Sequence, residues 1–255
     1  MGKFSNKTVL VTGANGGIGT AIAKHLGEEG ANLIVSDLRL DALGDVFDQF
    51  RDRVLGLSCD VTDWVATQTL LSAAVSRFER IDAAVLNAGI EGIFAPIGEA
   101  SLEDFNRVLD INLKGVFIGL SHLMPLMKAQ GTGAIVILSS TGGLRGSAGL
   151  SAYTASKHGV IGLMKSAALE GASHKVRVNT VNPGPINTRM IHSIEQSRNN
   201  GRAEGERQSI ADLLPLRRLG EPDEVAKFIG FLCSDDAQFC TGQTYVIDGG
   251  SMAGR

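Results

Sequence analysis

The chain has 255 residues, of which 44% are hydrophobic, and its 24 Lys and Arg against 27 Asp and Glu give a net charge of −3. A chain of this length can bury roughly 70–75% of its unfolded surface in one core, so we expect residues 1–255 to form a single domain. The near balance of charge, without a strongly basic tract, argues against a nucleic-acid partner.

Apolar runs and cysteine usage narrow the class of protein further. No run reaches the ~18 apolar residues of a membrane span, and the first residues lack the apolar core of a signal peptide, so we expect no membrane partner and a cytoplasmic location. Cys59, Cys233 and Cys240 form no C-x-x-C pair, and the five histidines form no H-E-x-x-H motif. We therefore predict buried thiols, no disulfide framework and no metal.

Short runs rich in Val, Ile and Leu alternate with amphipathic stretches along the whole chain, which is typical of a buried parallel sheet flanked by helices. The predicted strands are 7–12, 32–37, 53–58, 82–87, 133–139, 175–181 and 244–248. The predicted helices are 17–29, 39–50, 63–79, 101–129, 151–173 and 221–234. This order predicts an α/β fold, a doubly wound (Rossmann) parallel sheet of about seven strands, in which ligands bind beyond the carboxyl ends of the strands.

The first predicted strand leads into a glycine-rich turn that is followed by a helix. The turn reads Gly13-Ala-Asn-Gly-Gly17-Ile-Gly19. Glycines let the backbone approach a pyrophosphate, and the N–H groups at a helix start favour an anion. The spacing departs from the G-x-G-x-x-G fingerprint, so a simple tight turn is the alternative. The motif predicts a dinucleotide site when it is read with the acid that ends the second strand.

That acid is Asp37, whose carboxylate can accept hydrogen bonds from the adenosine ribose hydroxyls. It could also cap the following helix, and the two uses are compatible. The 2′-phosphate of NADP would meet Asp37 with like charge, and the nearby Asn15 and Leu38 are neutral. Arg39 could swing toward such a phosphate, but we expect it to face solvent. The charges therefore predict NAD as the cofactor.

Three later residues can assemble a proton-transfer site, namely Ser140 in I-L-S-S-T-G-G and Tyr153 and Lys157 in S-A-Y-T-A-S-K. On a helix, Tyr153 and Lys157 are four residues apart and share one face. The lysine charge would then lower the pKa of the phenol, and Ser140 would hold the substrate oxygen. A Y-x-x-x-K pair alone is more often a surface pair, so this interpretation depends on the other motifs.

From about Lys7 to Gly250 the chain resembles the short-chain dehydrogenases/reductases of the single-domain type. The matching motifs are T-G-x-x-x-G-I-G at Thr12 to Gly19, Asp60 in C-D-V, the turn Asn87-Ala88-Gly89, Asn112, Ser140, Tyr153 with Lys157, and Pro183-Gly184 followed by Ile186 and Thr188. Leu86 stands where the family often has an asparagine, and we expect it to pack as an aliphatic side chain.

The resemblance implies roles for these positions. The catalytic residues would be Asn112, Ser140, Tyr153 and Lys157, with Asn112 holding a water that links Lys157 to solvent. The cofactor residues would be Gly13, Asn15, Gly17, Ile18 and Gly19 in the turn, Asp37 and Leu38, Asp60 and Val61 at the adenine, Asn87, Ala88 and Gly89 at the ribose, Tyr153 and Lys157, and Pro183, Gly184, Ile186 and Thr188 at the nicotinamide. Asp60 could instead cap the next helix, and Pro183 to Pro185 could be a rigid turn. The family also implies a homotetramer in which the helices at 101–129 and 151–173 pair.

We therefore predict an NAD-dependent oxidoreductase that interconverts a secondary alcohol and a ketone by hydride transfer, with Tyr153 as acid and base. The alternatives are an NADPH-dependent 3-oxoacyl-carrier-protein reductase and a non-catalytic dinucleotide-binding protein. A substrate lid is predicted at about 189–214, split by a turn at 199–205. The expected apolar wall consists of Leu144, Leu150, Met190, Ile191 and Ile194, which favours a small, largely apolar substrate. Arg145, His192 and Arg198 leave room for an anionic group, although we expect most of them to be solvated.

Overall fold

The computed structural model describes residues 2–200 and 209–253. Its seven strands are β1 (Thr8–Thr12), β2 (Asn32–Asp37), β3 (Val54–Ser58), β4 (Ala83–Leu86), β5 (Gly133–Leu138), β6 (Val176–Pro183) and β7 (Thr244–Ile247). All are parallel and form one sheet in the order β3-β2-β1-β4-β5-β6-β7. The predicted doubly wound α/β fold is confirmed.

The helices of the described residues pack on both faces of this sheet. They are α1 (Gly17–Glu28), α2 (Gly44–Phe50), α3 (Trp64–Phe78), α4 (Leu102–Leu109), α5 (Gly115–Gln130), α6 (Ser151–Gly171), α7 (Arg189–Asn199) and α8 (Pro222–Cys233). Because successive side chains of a strand point to opposite faces, Val9 and Val11 enter one hydrophobic core and Leu10 enters the other. Every residue of β1 is buried, as expected of a central strand covered on both sides.

The strand order reverses between β1 and β4, which follow each other in the sheet but not in the chain. Connections from these two strands leave in opposite directions, and a crevice opens beyond their carboxyl ends. The glycine turn follows β1 and the Asn87-Ala88-Gly89 turn follows β4, so both lie at this crevice. Leu86, at the end of β4, is 4% exposed and packs in the core as predicted.

The helix predicted over 101–129 is present and runs without a gap from Leu102 to Gln130. One turn of it is not α-helical but widens to π-helix, at Asp110–Lys114 between α4 and α5. The buried Asn112 in that turn exchanges two hydrogen bonds with the backbone of Ile90, at 2.8 and 2.9 Å. Gly115 lies so close to Val61 that an added β-carbon would be 2.8 Å from its Cγ2. Ile90 and Val61 are distant from this helix in the chain, so helical periodicity did not predict the widened turn.

The start of the second predicted helix and the end of the sixth strand also differ from prediction. The helix predicted from residue 39 begins as an α-helix only at Gly44, because the Asn15 side chain accepts a hydrogen bond from Ala42 N at 2.7 Å and holds the preceding residues near the glycine turn. Strand β6 continues two residues beyond the predicted 181, to Pro183, since β7 pairs with its end. A proline is tolerated at this last strand position, where a ladder donor is not required.

Candidate active site

The glycine turn packs directly against the turn after β4. Gly13 has a positive φ of 64°, and a β-carbon added there would lie 2.7 Å from Cα of Ala88. A β-carbon at Gly19 would overlap the carbonyl oxygen of Gly13, and one at Gly17 would lie 3.0 Å from Cγ2 of Thr188. The turn therefore has no space for side chains at these positions, and its backbone is exposed to the crevice.

Helix α1 begins at this turn without a side-chain cap and without an acidic residue in its first turn. The first N–H groups of a helix have no partner within the helix, and the helix dipole adds partial positive charge there. This arrangement suits an anionic group such as a pyrophosphate. The residues present therefore fit the phosphates of a dinucleotide.

Asp37 lies at the end of β2, beside the glycine turn. Its carboxylate accepts hydrogen bonds from Asn15 N at 3.0 Å and Leu38 N at 2.7 Å. Helix α2 begins seven residues later, at Gly44, so the alternative that Asp37 caps that helix is wrong. The carboxylate is partly exposed at the crevice.

Arg39 faces solvent, as predicted, and forms an exposed ion pair with Asp41. Its Nε and Nη2 donate to the two carboxylate oxygens of Asp41 at 3.2 and 3.0 Å. This guanidinium lowers the pKa of Asp41. The Asn15 amide also contacts Asp41, at 3.4 Å. Asp41 therefore contacts both Arg39 and the Asn15 side chain, which lie beside Asp37. The sequence alone did not indicate this role.

Asp60 forms its own local turn after β3. One carboxylate oxygen accepts hydrogen bonds from both the backbone and the hydroxyl of Thr62, each at 2.8 Å. The cap of α3 is Asp63, which accepts from Ala66 N at 2.9 Å. Asp60 therefore does not cap this helix, and it lines the cleft together with Val61.

Thr12 joins the turns after β1 and β4, a role that sequence reasoning missed. Its hydroxyl accepts from Asn87 N at 3.1 Å, and the Asn87 side-chain amide donates to the carbonyls of Thr12 at 3.0 Å and Gly13 at 2.9 Å. The threonine that opens the T-G-x-x-x-G-I-G motif was the available signal. These bonds fix the spacing between the two turns.

Ser140, Tyr153 and Lys157 lie together at the end of β5. A β-carbon added at Gly142 would be 3.3 Å from Cε1 of Tyr153 and 3.5 Å from Oγ of Ser140, so both side chains face the same short backbone segment. Nζ of Lys157 lies 5.6 Å from the centre of the Tyr153 ring and donates to the carbonyl of Leu138 at 2.7 Å. The structure brings the three residues together as their spacing predicted.

The electrostatics of this group differ from the prediction. Burial raises the pKa of the Tyr153 phenol, the Ser140 hydroxyl acts in the opposite direction, and the charge of Glu91 raises the pKa further. Burial also lowers the pKa of Lys157 to about 8. The direction for Tyr153 is therefore opposite to the predicted acidification, because the cost of burying a charged phenolate exceeds the opposing effect of Ser140.

Asn112 links the π-helical turn at Asp110–Lys114 to the segment that carries Tyr153 and Lys157. Its side chain bonds the backbone of Ile90 and donates to the Ser156 hydroxyl at 3.0 Å, and the Ser156 hydroxyl in turn donates to the carbonyl of Tyr153 at 2.7 Å. A β-carbon at Gly89 would lie 3.2 Å from Oδ1 of Asn112 and 3.4 Å from Nζ of Lys157. Asn112 thus positions the segments that carry the site, and the water that the resemblance implies stays a prediction.

The glycine turn, the segments after β2, β3 and β4, and the serine, tyrosine and lysine group line one cleft of about 1570 Å³. The predicted cofactor residues that line it are Gly13, Asn15, Gly17, Ile18, Gly19, Asp37, Leu38, Asp60, Val61, Asn87, Ala88, Gly89, Pro183, Gly184, Ile186 and Thr188, and Ser140, Tyr153 and Lys157 line it too. Asn112 does not line the cleft but lies fully buried behind it.

The substrate end of the cleft agrees with part of the predicted wall. Leu150, Met190, Ile191 and Ile194 line it, whereas Leu144 is exposed outside it. Helix α7 provides the first half of the predicted lid, but the predicted turn at 199–205 falls mostly on residues 201–208, outside the described residues. Glu91 and Phe94 also line the cleft, and their place just after Asn87-Ala88-Gly89 was the signal that could have identified them.

The fold, the glycine turn and this group of side chains define an oxidoreductase that binds a nicotinamide dinucleotide. A family model described as enoyl-(acyl carrier protein) reductase matches residues 13–252. The chain belongs to the short-chain dehydrogenase/reductase family.

Three curated relatives match over nearly their whole lengths. The cyclohexanol dehydrogenase of Acinetobacter sp. (strain SE19) is 40% identical over 97% of this chain and 95% of its own. The levodione reductase of Leifsonia aquatica is 36% identical, with 98% and 96% covered. The cis-4-hydroxycyclohexanecarboxylate dehydrogenase of Sinomonas cyclohexanicum is 38% identical, with 98% of each chain covered.

Solved structures agree with this assignment. Levodione reductase superposes with a TM-score of 0.93 at 35% identity, covering 99% of this chain and 100% of the other. NAD⁺-bound xylitol dehydrogenase gives 0.91 at 34% identity, with 97% and 100% covered. The 3-ketoacyl-(acyl-carrier-protein) reductase from Brucella melitensis, complexed with NADH, gives 0.88 at 29% identity, with 97% and 98% covered. Across residues 2–200 and 209–253, no helix has the length and apolar character to span a bilayer.

Proposed function

We propose that this protein is an NAD-dependent dehydrogenase that interconverts cyclic secondary alcohols and their ketones, with Tyr153 as the acid and base. The observation that carries the proposal is the grouping of Ser140, Tyr153 and Lys157 at one end of a cleft whose other end is the glycine turn. A dinucleotide spanning that cleft would bring its reactive ring to the tyrosine. Bound NAD supplies a hydride acceptor at nicotinamide C4.

The shape of the cleft supports an assignment of the residues that would hold the cofactor. The backbone of the glycine turn and the start of α1 would take the pyrophosphate, and Asp37 would take the adenosine ribose hydroxyls. Asp37 disfavours the additional phosphate of NADP, and Asp41 keeps Arg39 from neutralising that phosphate. Both effects favour NAD.

During alcohol oxidation, the Tyr153 phenolate accepts the hydroxyl proton as the carbon loses its hydride. Ser140 donates a hydrogen bond to the substrate oxygen and keeps it within reach of the phenol. The buried Lys157 ammonium favours the phenolate once it forms, because opposite charges interact strongly in a dry site. In ketone reduction the protonated phenol returns the proton to the oxygen.

Two features favour a six-membered ring as the substrate. The relatives named for cyclohexanol and for cis-4-hydroxycyclohexanecarboxylate act on ring alcohols, and they match this chain from end to end. Leu150, Met190 and Ile191 give the substrate end of the cleft an apolar wall. We propose that the chain forms one domain and that α7 (Arg189–Asn199) is a lid helix at the substrate end of the cleft.

The carrier-protein reductase stays the second candidate because one structural neighbour of that name matches closely, and it was solved with NADH. Asp37 therefore argues only against the NADPH-dependent form. The non-catalytic alternative would leave the serine, tyrosine and lysine group without a purpose.

One screen separates the three functions. The purified protein would be mixed with NAD and cyclohexanol, xylitol, aliphatic alcohols or aryl alcohols, and with NADH and an acetoacetyl thioester, while nicotinamide absorbance is followed. We expect the highest kcat/KM with the ring alcohol. Faster thioester reduction would favour the carrier-protein reductase, and no turnover with any substrate despite NAD binding would favour the non-catalytic protein.

The pH profile tests the part played by Ser140. Oxidation needs the phenolate, so its rate is expected to rise as pH passes upward through the pKa of Tyr153, and ketone reduction is expected to fall there. Because Ser140 lowers that pKa against the effect of burial, Ser140→Ala is expected to move both transitions to higher pH. A Ser140→Thr variant should keep the original midpoint. An Ala variant that is slower but has an unchanged midpoint would contradict this role.

We also propose a homotetramer, supported by exposed apolar side chains on the helices predicted to pair. Leu102 of α4, Phe117 of α5 and Leu169 of α6 are 73%, 51% and 82% exposed. Light scattering after size exclusion should give four times the chain mass of 26.8 kDa. Phe117→Glu combined with Leu169→Glu should dissociate it, whereas Ile97→Glu, at an exposed apolar loop residue, should not. A monomeric wild-type protein would refute the proposal.

A further inference from the structure

Arg145 lies in the loop that links the serine to the tyrosine of the site. Its backbone N–H donates to the carbonyl of Thr141 at 3.2 Å, which places it one turn beyond Ser140. Its side chain lines the same cleft as Tyr153 and is partly buried. A permanently charged residue therefore lines a cleft that also contains the apolar side chains of Leu150, Met190 and Ile191.

The Nη1 atom of Arg145 is buried and has no hydrogen-bond partner among the described residues. Two other partly buried arginines have partners: Arg53 donates to the carbonyls of Gly27 and Ala31, and Arg177 donates to that of Ser234. Leaving a buried donor of a charged group unpaired is costly, and native proteins rarely do so without a functional reason.

The loop around Arg145 is fixed before any ligand arrives. Gly149 has a positive φ of 81°, and its carbonyl accepts from Ala95 N at 2.9 Å. A β-carbon at Gly149 would lie 2.5 Å from the ring of Phe94, so the two loops are in close contact. A guanidinium carried by such a braced loop is partly preorganised, which reduces the entropy lost on binding.

Other charged residues of the cleft limit where the anionic group of a substrate can lie. Glu91 lines the same cleft as Tyr153, and its negative charge raises the pKa of the phenol, so an anion close to the reacting oxygen would be repelled. Arg145 and Arg198 line the cleft on the loop and on the lid helix. A substrate anion is therefore favoured at a distance from the reacting carbon and on the Arg145 side.

We infer that this cleft takes ring alcohols that carry a carboxylate, and that Arg145 binds the carboxylate as the specificity-determining residue. The planar guanidinium matches a carboxylate through paired hydrogen bonds, and such charge-assisted bonds are stronger than neutral ones. The carboxylate would pair with the part of the guanidinium that borders the cleft. This inference rests on the proposed function, because it concerns the substrate of the same reaction.

The test compares cis-4-hydroxycyclohexanecarboxylate with its methyl ester and with cyclohexanol, using NAD and steady-state kinetics. The wild-type protein is expected to prefer the acid over the ester by about 10- to 100-fold in kcat/KM, through KM. Arg145→Gln should remove this preference while turnover of cyclohexanol changes by less than about twofold, because the ring contacts remain. Arg145→Lys should retain part of it.

Arg189→Gln is the matched control, since Arg189 also lines the cleft but is exposed at the start of α7. We expect it to leave the preference for the acid unchanged. Equal use of acid and ester by the wild type, or equal losses for all three substrates in Arg145→Gln, would overturn the inference and leave the proposed function standing. If no ring alcohol is oxidised, the proposed function fails and the inference fails with it.

Discussion

Replacing Tyr153 by phenylalanine is expected to lower kcat for alcohol oxidation by about 10²–10⁴-fold, the usual contribution of a positioned acid or base. Phenylalanine fills nearly the same volume, so the packing against Gly142 and Lys157 should remain. The variant loses only the hydroxyl that exchanges the proton. Single-turnover and steady-state rates with cyclohexanol and NAD would measure the loss.

Tyr245→Phe is a control for the same substitution, because Tyr245 is the other tyrosine of the chain. It lies in β7, and its ring makes an edge contact with Phe228 at 5.7 Å between centroids. We expect Tyr245→Phe to keep a near-normal kcat. NAD binding, followed by fluorescence or calorimetry, should be largely preserved in both variants. A Tyr153→Phe protein with near-normal turnover would end the proposed mechanism.

The second large effect is expected on cofactor choice. Asp37→Ser removes the carboxylate that repels a 2′-phosphate and that accepts hydrogen bonds from the ribose. The ratio of kcat/KM for NAD over that for NADP should fall by about 10- to 100-fold, the cost of losing charge-assisted bonds to one partner. The ratio would be measured with one alcohol and both cofactors.

Adding Asp41→Asn should lower the ratio further, because it releases Arg39 from its two-bond ion pair and lets the guanidinium reach the phosphate. Asp60→Asn serves as the control, since it also lines the cofactor end of the cleft. It should change the use of both cofactors alike. If Asp37→Ser weakens NAD and NADP equally, the carboxylate does not discriminate between them.

Both predictions depend on motifs that can be recognised from local sequence patterns. The strands were recognisable because a strand covered on both faces is a short, continuous apolar run, as in Thr8–Thr12. The glycine turn was recognisable because side chains are excluded where the backbone of Gly13 meets Ala88. The four-residue spacing of Tyr153 and Lys157 needed only a helix to place them on one face.

Features that depend on distant contacts were not predictable. The π-helical turn at Asp110–Lys114 is associated with hydrogen bonds between Asn112 and Ile90. Helical periodicity does not predict these bonds. Arg39 and Asp41 are only two residues apart, but their ion pair bears on the choice of cofactor because the fold places both beside Asp37. The direction of the pKa shift of Tyr153 is set by burial, and the residues that bury it come from several elements.

The sequence by itself determined the alternation of strands and helices, the family, and which side chains carry the proton chemistry, because these depend on periodicity and on short spacings. Only the tertiary structure decided which charges share the cleft, which are paired, and which lack a partner. Asp41 and Arg145 show the difference. Each is an ordinary charged residue in the chain, and its role depends on how closely the fold places it to Arg39 or to the substrate, since electrostatic energies are set by distance and burial rather than by order in sequence.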